Sequence, residues 1–379
     1  MPDLSLMLRA AGYSPAALQH RLGISLPDDI GLLNHAPAVQ RLARDHSAEA
    51  ALVRLFFLEE AEPAARLAKC FSRRALADLV AIGVLRRRDA LLQARVRIDP
   101  VGNHYYVSDR RFCAVDRAAL RLPQGDAVYP PSSDSLLLRD VVVAPAPRRV
   151  LDLCTGSGVQ ALQVADNAER VVAVDINRRA VAVAAFNAAL NGAQNVEVRC
   201  GDLYAPVRGE QFDLVIANPP FVASPYANAP SYHSGGPRGD RVLGRVIAGL
   251  GEHLRDEGRA FAITHLALRG GESVHTVAST WFRTFPGRAL VVTVESGTPV
   301  DLAAAQALFA LDGGLKAYAL EVQRWVRYLR RNRVEGVSAL VIVAEKSGHR
   351  SIEVVDAQRR ILPIPLTAPP AERIKSWLA

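Results

Sequence analysis

Residues 149–161, RVLDLCTGSGVQA, join a strand-like apolar run to a tight Thr-Gly-Ser-Gly turn and the start of a helical pattern. A buried strand that turns through glycines into a helix is the opening unit of a doubly wound α/β sheet. Gly156 and Gly158 let the backbone reverse sharply and let a ligand approach where any Cβ would collide. Outward from this unit, RVVAVDI (170–176), VEVRC (196–200), FDLVIAN (212–218), RAFAITH (259–265), ALVVTVE (289–295) and SALVIVAE (338–345) are further short runs rich in valine, isoleucine and leucine. Helical stretches such as 178–191 and 240–254 separate the earlier ones. This alternation predicts an α/β fold, a doubly wound and mostly parallel seven-stranded sheet, over residues 126–379.

Residues 1–125 follow a different pattern. Leu52, Leu55, Phe56 and Leu58, then Leu76, Leu79, Val80 and Ile82, fall at helical spacing, and Ser72 is placed to cap the second helix. LLQARVRI and HYYVSD then alternate around a turn cluster of Pro100, Gly102 and Asn103. Helix, helix, hairpin is the order of a winged helix, so residues 1–125 read as a helical, winged-helix-like domain for substrate recognition or docking.

The 379 residues are half apolar and carry a net charge of +8, enough apolar surface for a sizeable core and too little charge bias for disorder. No apolar run reaches the ~18–20 residues of a membrane span, and the start lacks the basic and apolar regions of a signal peptide. A cytoplasmic protein with no membrane association is expected. Cys70, Cys113, Cys154 and Cys200 are too far apart for a local zinc knuckle, so no metal is expected. Arginine dominates the basic residues; the lysines are only Lys69, Lys316, Lys346 and Lys375. The basic balance keeps nucleic acid among the candidate partners.

The glycine loop alone, Gly156-x-Gly158-x-x-Ala161, also fits a dinucleotide enzyme. Asp175, ending the second strand, suits ribose hydroxyls in either case. Asp152 discriminates: a carboxylate at the mouth of the loop repels a pyrophosphate and suits the ammonium end of S-adenosylmethionine. Asp202, after the third strand, is a candidate acceptor for the adenine amino group, with Ile176 and Leu203 packing the ring.

DLCTGSG, VVAVDIN, GDLY and NPPF, each ending one of the first four strands, together resemble a class I S-adenosylmethionine-dependent methyltransferase with a Rossmann-like sheet. NPPF is the most specific part. It marks enzymes that methylate planar nitrogens, in nucleobases or in the glutamine side chain. VYPPSSDSLLL (128–138), including Asp134, and GGPRGDRVLGRVIAGL (235–250) are similar to the corresponding segments of release-factor glutamine N5-methyltransferases. Phe221 stands where that group often has tyrosine, keeping the ring without the hydroxyl. Residues 1–125 do not look like the usual five-helix domain of those enzymes.

The resemblance implies that Cys154, Thr155, Asn177 and Asn218 join the cofactor set, that Asn218, Pro219 and Phe221 are catalytic, and that Pro220 and Phe221 meet the substrate. Asn218 Oδ1 and the Pro219 carbonyl would accept the two N–H groups of an amide whose lone pair is otherwise delocalised, and positioning would supply most of the rate. Between the sixth and seventh strands an insertion at about 297–336 carries Arg324, Arg327 and Arg331 on one helical face, candidates for an acidic or phosphate-bearing substrate. A protein glutamine, release-factor-like, is the leading acceptor. Adenine N6 or guanine N2 in RNA or DNA, a small-molecule amine, a non-catalytic cofactor-binding winged-helix regulator and an NAD-dependent oxidoreductase are the alternatives.

Overall fold

Serine caps organise the start of the chain. Ser14, Ser47 and Ser72 each accept a hydrogen bond from the backbone N–H three residues on, opening helices α2 (Pro15–Leu22), α4 (Ala48–Leu52) and α6 (Arg73–Ala81). The computed structural model describes residues 2–31, 33–111, 126–144, 146–226, 232–357 and 369–378. Cys113, the proline-rich run as far as residue 368 and the chain just before the expected 125/126 boundary lie outside the described residues.

The remaining N-terminal helices are α1 (Pro2–Ala10), α3 (His35–Leu42) and α5 (Ala64–Leu67). Helix α4 continues into a π-helical turn, Val53–Phe57, whose residues are all buried. Strands β1 (Glu62–Pro63), β2 (Leu85–Arg88) and β3 (Leu91–Ala94) form an antiparallel sheet in the order β1-β3-β2. The sequence α4-β1-α5-α6-β2-β3 with that strand order is the connectivity of a winged helix, over residues 48–94.

The expected hairpin needs correcting. LLQA is β3 and pairs with β2 through a turn at Asp89, whose φ of 53° lies in the left-handed region. Asp89 does what glycine usually does there, which hid the turn from the sequence. The Gly102–Asn103 turn instead joins β4 (Arg97–Val101) to β5 (His104–Ser108), a separate two-stranded unit. Arg97, fully buried at its base, bonds Asp99 at 2.9 Å and lies 4.2 Å over the Phe57 ring.

From residue 133 the chain alternates as anticipated: α7 (Ser133–Val141), β6 (Arg149–Leu153), α8 (Val159–Ala165), β7 (Arg170–Asp175), α9 (Arg178–Leu190), β8 (Val196–Cys200), β9 (Phe212–Ala217), α10 (Arg241–His253), β10 (Leu254–Arg269), α11 (Val274–Trp281), β11 (Gly287–Gly297), α12 (Pro299–Gln306), α13 (Gly314–Arg331), β12 (Val334–Lys346), β13 (Ser351–Asp356) and α14 (Pro369–Leu378). The sheet order is β13-β11-β12-β10-β9-β6-β7-β8. Strands β6 to β10 run parallel, and β12 inserts antiparallel between β10 and β11. The sheet therefore has eight strands, not seven. The addition, β13, is an edge strand of intermediate burial whose mixed pattern, SIEVVD, gave no clear apolar run.

Alternate side chains of the central strands feed two cores. Leu151, Val172 and Val215 meet α10 and α11, whereas Val150, Val171 and Leu214 meet α7, α8 and α14. Strand order reverses between β6 and β9, so the crevice at their carboxyl ends is the ligand position for this topology. Leu153 pairs with Ala217 there, which sets the glycine loop beside Asn218. No described helix is long and apolar enough to cross a membrane.

The β4–β5 unit docks on α9 through two asparagines one helical turn apart. Asn191 accepts from Tyr105 N and donates to Tyr105 O, both at 2.8 Å. Asn187 accepts from Val107 N at 2.9 Å and donates to Val107 O at 2.9 Å and to Ser157 O at 2.8 Å. Side-chain amides thus complete the open edge of β5, which would otherwise bury unpaired backbone groups.

Candidate active site

The loop after β6 is shaped by its two glycines. Gly156 (φ 55°) has open space where a Cβ would stand; at Gly158 (φ 85°) a Cβ would lie 3.4 Å from the Ala184 Cβ on α9. The first glycine leaves room for a ligand and the second lets α8 and α9 pack closely. Asp175 holds the loop from β7. One of its oxygens accepts from Gly156 N at 2.9 Å and the other from Asn177 N at 2.8 Å, leaving a lone pair on each for ribose hydroxyls. Burial holds its pKa above the usual carboxylate range.

Ile176 is apolar yet 61% exposed, and with Leu203 it walls the same end of a cleft of about 1290 Å³. Exposed Ile176, the open space at Gly156 and the two free lone pairs of Asp175 fit a nucleoside. Cys154 and Thr155 line the cleft as well, and burial pushes the Cys154 thiol well above its ordinary pKa. Asn177 lines it too, but its side chain is occupied: Oδ1 caps α9 at Arg179 N and Nδ2 donates to Asp126 O. Asp202 is half-exposed on the cleft wall and paired with Arg245 of α10 at 2.7 Å, so it stands there as a member of an ion pair rather than as a free acceptor.

Asp152 requires a correction. It is 1% exposed and lies beneath the cleft wall, not on it, because its Oδ2 accepts from Thr155 Oγ1 (2.5 Å) and Ala161 N (3.1 Å). It holds the loop's shape instead of facing an ammonium. Its Oδ1 is buried without a partner, and burial raises its pKa to about 7.

At the other end of the cleft β9 delivers Asn218, Pro219, Pro220 and Phe221, all on the wall. Asn218 Nδ2 donates to Asp134 Oδ2 of α7 at 3.3 Å, which fixes the sense of the amide. Phe221 stacks on His265 of β10, with ring centroids 4.5 Å apart and planes at 28°. Burial lowers the His265 pKa, so the ring beneath Phe221 is neutral at neutral pH. A Cβ on Gly239 would stand 2.1 Å from the Phe221 carbonyl oxygen, and one on Gly235 2.6 Å from that of Pro220. Only glycine lets this segment lie against the NPPF backbone. Val222 N and His233 O, then Gly235 N and Val222 O, zip the two segments together at 2.9 and 3.1 Å.

The insertion reaches the cleft differently from the expectation. Arg324, Arg327 and Arg331 are exposed and do not line it; Arg324 bonds Tyr226 Oη at 3.1 Å. Buried Trp325 and Leu329 turn α13 inward onto Val222 and Ala223, so the arginine face points away. The end of α12 and the turn after it supply Gln306, Leu308 and Phe309 instead, with His233 Nε2 3.1 Å from Gln306 Oε1. Stacked Tyr129 and Tyr232, 5.3 Å apart, and Asp28 and Asn34 of the N-terminal region complete the mouth. His265, Gly235, Gly239, Gln306 and the tyrosine pair were not singled out from sequence. The glycines lie in the 235–250 segment noted for its resemblance, which gave them no individual role. Among the described residues no three His, Cys, Asp or Glu side chains gather as a metal site, and Cys70, Cys154 and Cys200 are free thiols.

Comparison with known proteins agrees with this geometry. Residues 132–278 match the methyltransferase small domain, and residues 10–97 match a domain of unknown function. A release factor glutamine methyltransferase of Thermodesulfovibrio yellowstonii is 30% identical over 35% of this chain and 48% of its own length. A ribosomal protein uL3 glutamine methyltransferase of Bradyrhizobium diazoefficiens is 40% identical over 30% of this chain and 39% of its own. The chain thus spans about half or less of these two relatives. A "Putative protein N5-glutamine methyltransferase" of Methanocaldococcus jannaschii is 33% identical over 38% of this chain and 75% of its own length. With the glycine loop, Asp175 and the NPPF segment meeting at one strand crossover, the chain belongs to the class I S-adenosylmethionine-dependent methyltransferases, in the group that carries the methyltransferase small domain and includes protein N5-glutamine methyltransferases.

Proposed function

We propose that this chain transfers the methyl group of S-adenosylmethionine to the side-chain amide nitrogen of a protein glutamine. The clamp on Asn218 carries this reading. With Nδ2 held by Asp134, the amide cannot flip, and Oδ1 and the Pro219 carbonyl remain as acceptors for the two N–H groups of a primary amide. The cofactor, when bound, supplies a methyl group already activated on a sulfonium.

An amide nitrogen is a weak nucleophile because its lone pair is delocalised. Holding both N–H groups in one plane turns the lone pair toward the methyl group, and the two oxygens stabilise positive charge growing on nitrogen. Phe221, braced by His265, packs on the flat amide and fixes its approach. A neutral His265 also avoids placing a second cation beside a sulfonium. Consecutive prolines stiffen the loop that carries these groups. The names of the release factor and uL3 relatives support glutamine over a nucleobase. So does the wide mouth lined by Tyr129, Tyr232 and Phe309, which suits a protruding peptide loop.

Labelled cofactor, the purified enzyme and a lysate lacking it provide the test. Label in protein, recovered as N5-methylglutamine after digestion and mass spectrometry, is the expected result. Label that nuclease removes and protease leaves would overturn the glutamine assignment.

A further inference from the structure

The N-terminal helix-and-wing module takes no part in the chemistry above, yet its second half carries a dense run of cations. Residues 64–95 contain eight basic residues (Arg66, Lys69, Arg73, Arg74, Arg86, Arg87, Arg88 and Arg95) and two acidic ones, Asp78 and Asp89, a net +6 against +8 for the whole protein. With Glu49, Glu59, Glu60 and Glu62 included, residues 48–94 are net +2; of these acids Glu62 pairs with buried Arg54 and with Arg66, Glu59 is buried beside Arg97 and Arg110, and Glu49 pairs with Arg21.

The module leaves cations exposed on α6 and along the β2 edge. Leu76 and Leu79 anchor α6 in the core with Leu67, Phe71, Leu85 and Leu92. The opposite side of α6, with Arg73, Arg74, Ala77, Asp78 and Ala81, is exposed. Strand β2 is the free edge of the three-stranded sheet, and its three consecutive arginines are exposed as well. Arg86 Nε donates to Gln93 Oε1 across the hairpin at 2.8 Å, holding it to the wing. Arg95 returns to the end of α6, its Nη1 3.6 Å from where a Cβ on Gly83 would stand. Arg86 and Arg88 lie on one side of the wing and Arg87 on the other, so the exposed edge of the wing carries cations on both sides next to the exposed side of α6.

We propose that the exposed side of α6 and the wing edge bind the sugar–phosphate backbone of a nucleic-acid duplex. Helix α6 would lie in a groove, its small Ala77 and Ala81 allowing close approach, and the β2–β3 wing would follow the neighbouring strand. The exposed side of α6 has arginines for phosphates but no asparagine or glutamine for adenine edges, so binding is weakly sequence-dependent. This function is separate from the methyl acceptor: it docks the enzyme on a nucleic-acid-containing assembly, whatever group the cleft methylates.

Fluorescence anisotropy with labelled 20-base-pair DNA and RNA duplexes tests it on the full chain. Affinity should fall steeply between 50 and 200 mM salt for at least one duplex. The triple variant Arg86→Gln/Arg87→Gln/Arg88→Gln should bind at least tenfold more weakly, with the salt slope reduced by about 2 to 3. Removing the same charge elsewhere, in Arg148→Gln/Arg208→Gln/Arg283→Gln, should change affinity less than twofold. Circular dichroism and cofactor-induced thermal shift verify that each variant is folded; if the wing variant is not, Arg73→Gln/Arg74→Gln takes its place with the same expectation. No duplex binding at 50 mM salt, equal losses in the wing and control variants, or a wing variant that binds like the parent would each overturn the proposal. So would a wing variant that lost only affinity for an acidic protein.

Discussion

The two ends of the cleft are built in different ways. The glycine-loop end comes from the carboxyl ends of successive strands: the loop after β6, Asp175 ending β7, Leu203 after β8, each within a few residues of its strand. The NPPF end collects one residue from each of many places, with Asn218 clamped by Asp134 from 84 positions away, Phe221 on His265, and His233 against Gln306 from the insertion. A cofactor site of this kind needs only correct strand order and a glycine turn. An acceptor site needs the tertiary structure to be right first.

That contrast predicts separable failures. Asn218→Ala should lower the methyl-transfer rate by about 10²–10³, the range for removing one preorganised polar group, while moving cofactor affinity by less than about threefold. Asp175→Ala should do the reverse, weakening cofactor binding at least about tenfold with a smaller loss of rate at saturation. Calorimetric titration beside single-turnover kinetics distinguishes them, and matching losses in both parameters for both variants would break the comparison. Gly239→Ala comes next. Its Cβ would meet the Phe221 and His265 carbonyl oxygens at 2.1 and 2.6 Å, so the NPPF segment must move. The turnover rate should drop on the order of a hundredfold, with the cofactor dissociation constant nearly unchanged.

Asn187→Ala strands the Val107 backbone groups and the Ser157 carbonyl, and should cost about 2–4 kcal/mol in denaturant unfolding. The smallest effect concerns Asp152, the buried carboxyl under the loop. Its folded pKa of about 7 lies above its unfolded value. The proton it holds stabilises the fold fully at pH below the unfolded value, and that stability is lost as pH rises through 7. Asp152→Asn keeps an acceptor for Thr155 and Ala161 and has no charge to bury. Without cofactor it should melt on the order of 5 °C above the parent at pH 8, the gap closing toward pH 4.

The same contrast explains what the sequence could reveal. The strands, the glycine loop and NPPF were legible because each is a local pattern of burial or backbone freedom. Asp152 was noticed for its position, but only the fold shows Thr155 and Ala161 holding it under the wall. The arginine face of α13 was a correct helical pattern assigned to the wrong side, since Trp325 decides which side turns inward and spacing alone does not rank it above Arg324. The wing was expected one strand too late because an aspartate made its turn, and β13 was missed because its mixed pattern gives no clear apolar run. Gly235 and Gly239 read as flexible loop residues, yet they are steric requirements of a neighbour more than ten positions away.

The asparagine pair on α9 has a consequence for modularity. Asn187 touches the β5 backbone and the Ser157 carbonyl within the glycine loop through a single amide. Deleting residues 1–125 would leave the glycine loop, Asp175 and the NPPF segment in the chain, yet that amide would be without two of its three partners, at the point where the loop is held. The N-terminal third is therefore part of the same folding unit as the large sheet, and the two should melt in one cooperative step. Exchanging it for another domain would succeed only if the newcomer brought a strand edge to meet Asn187 and Asn191.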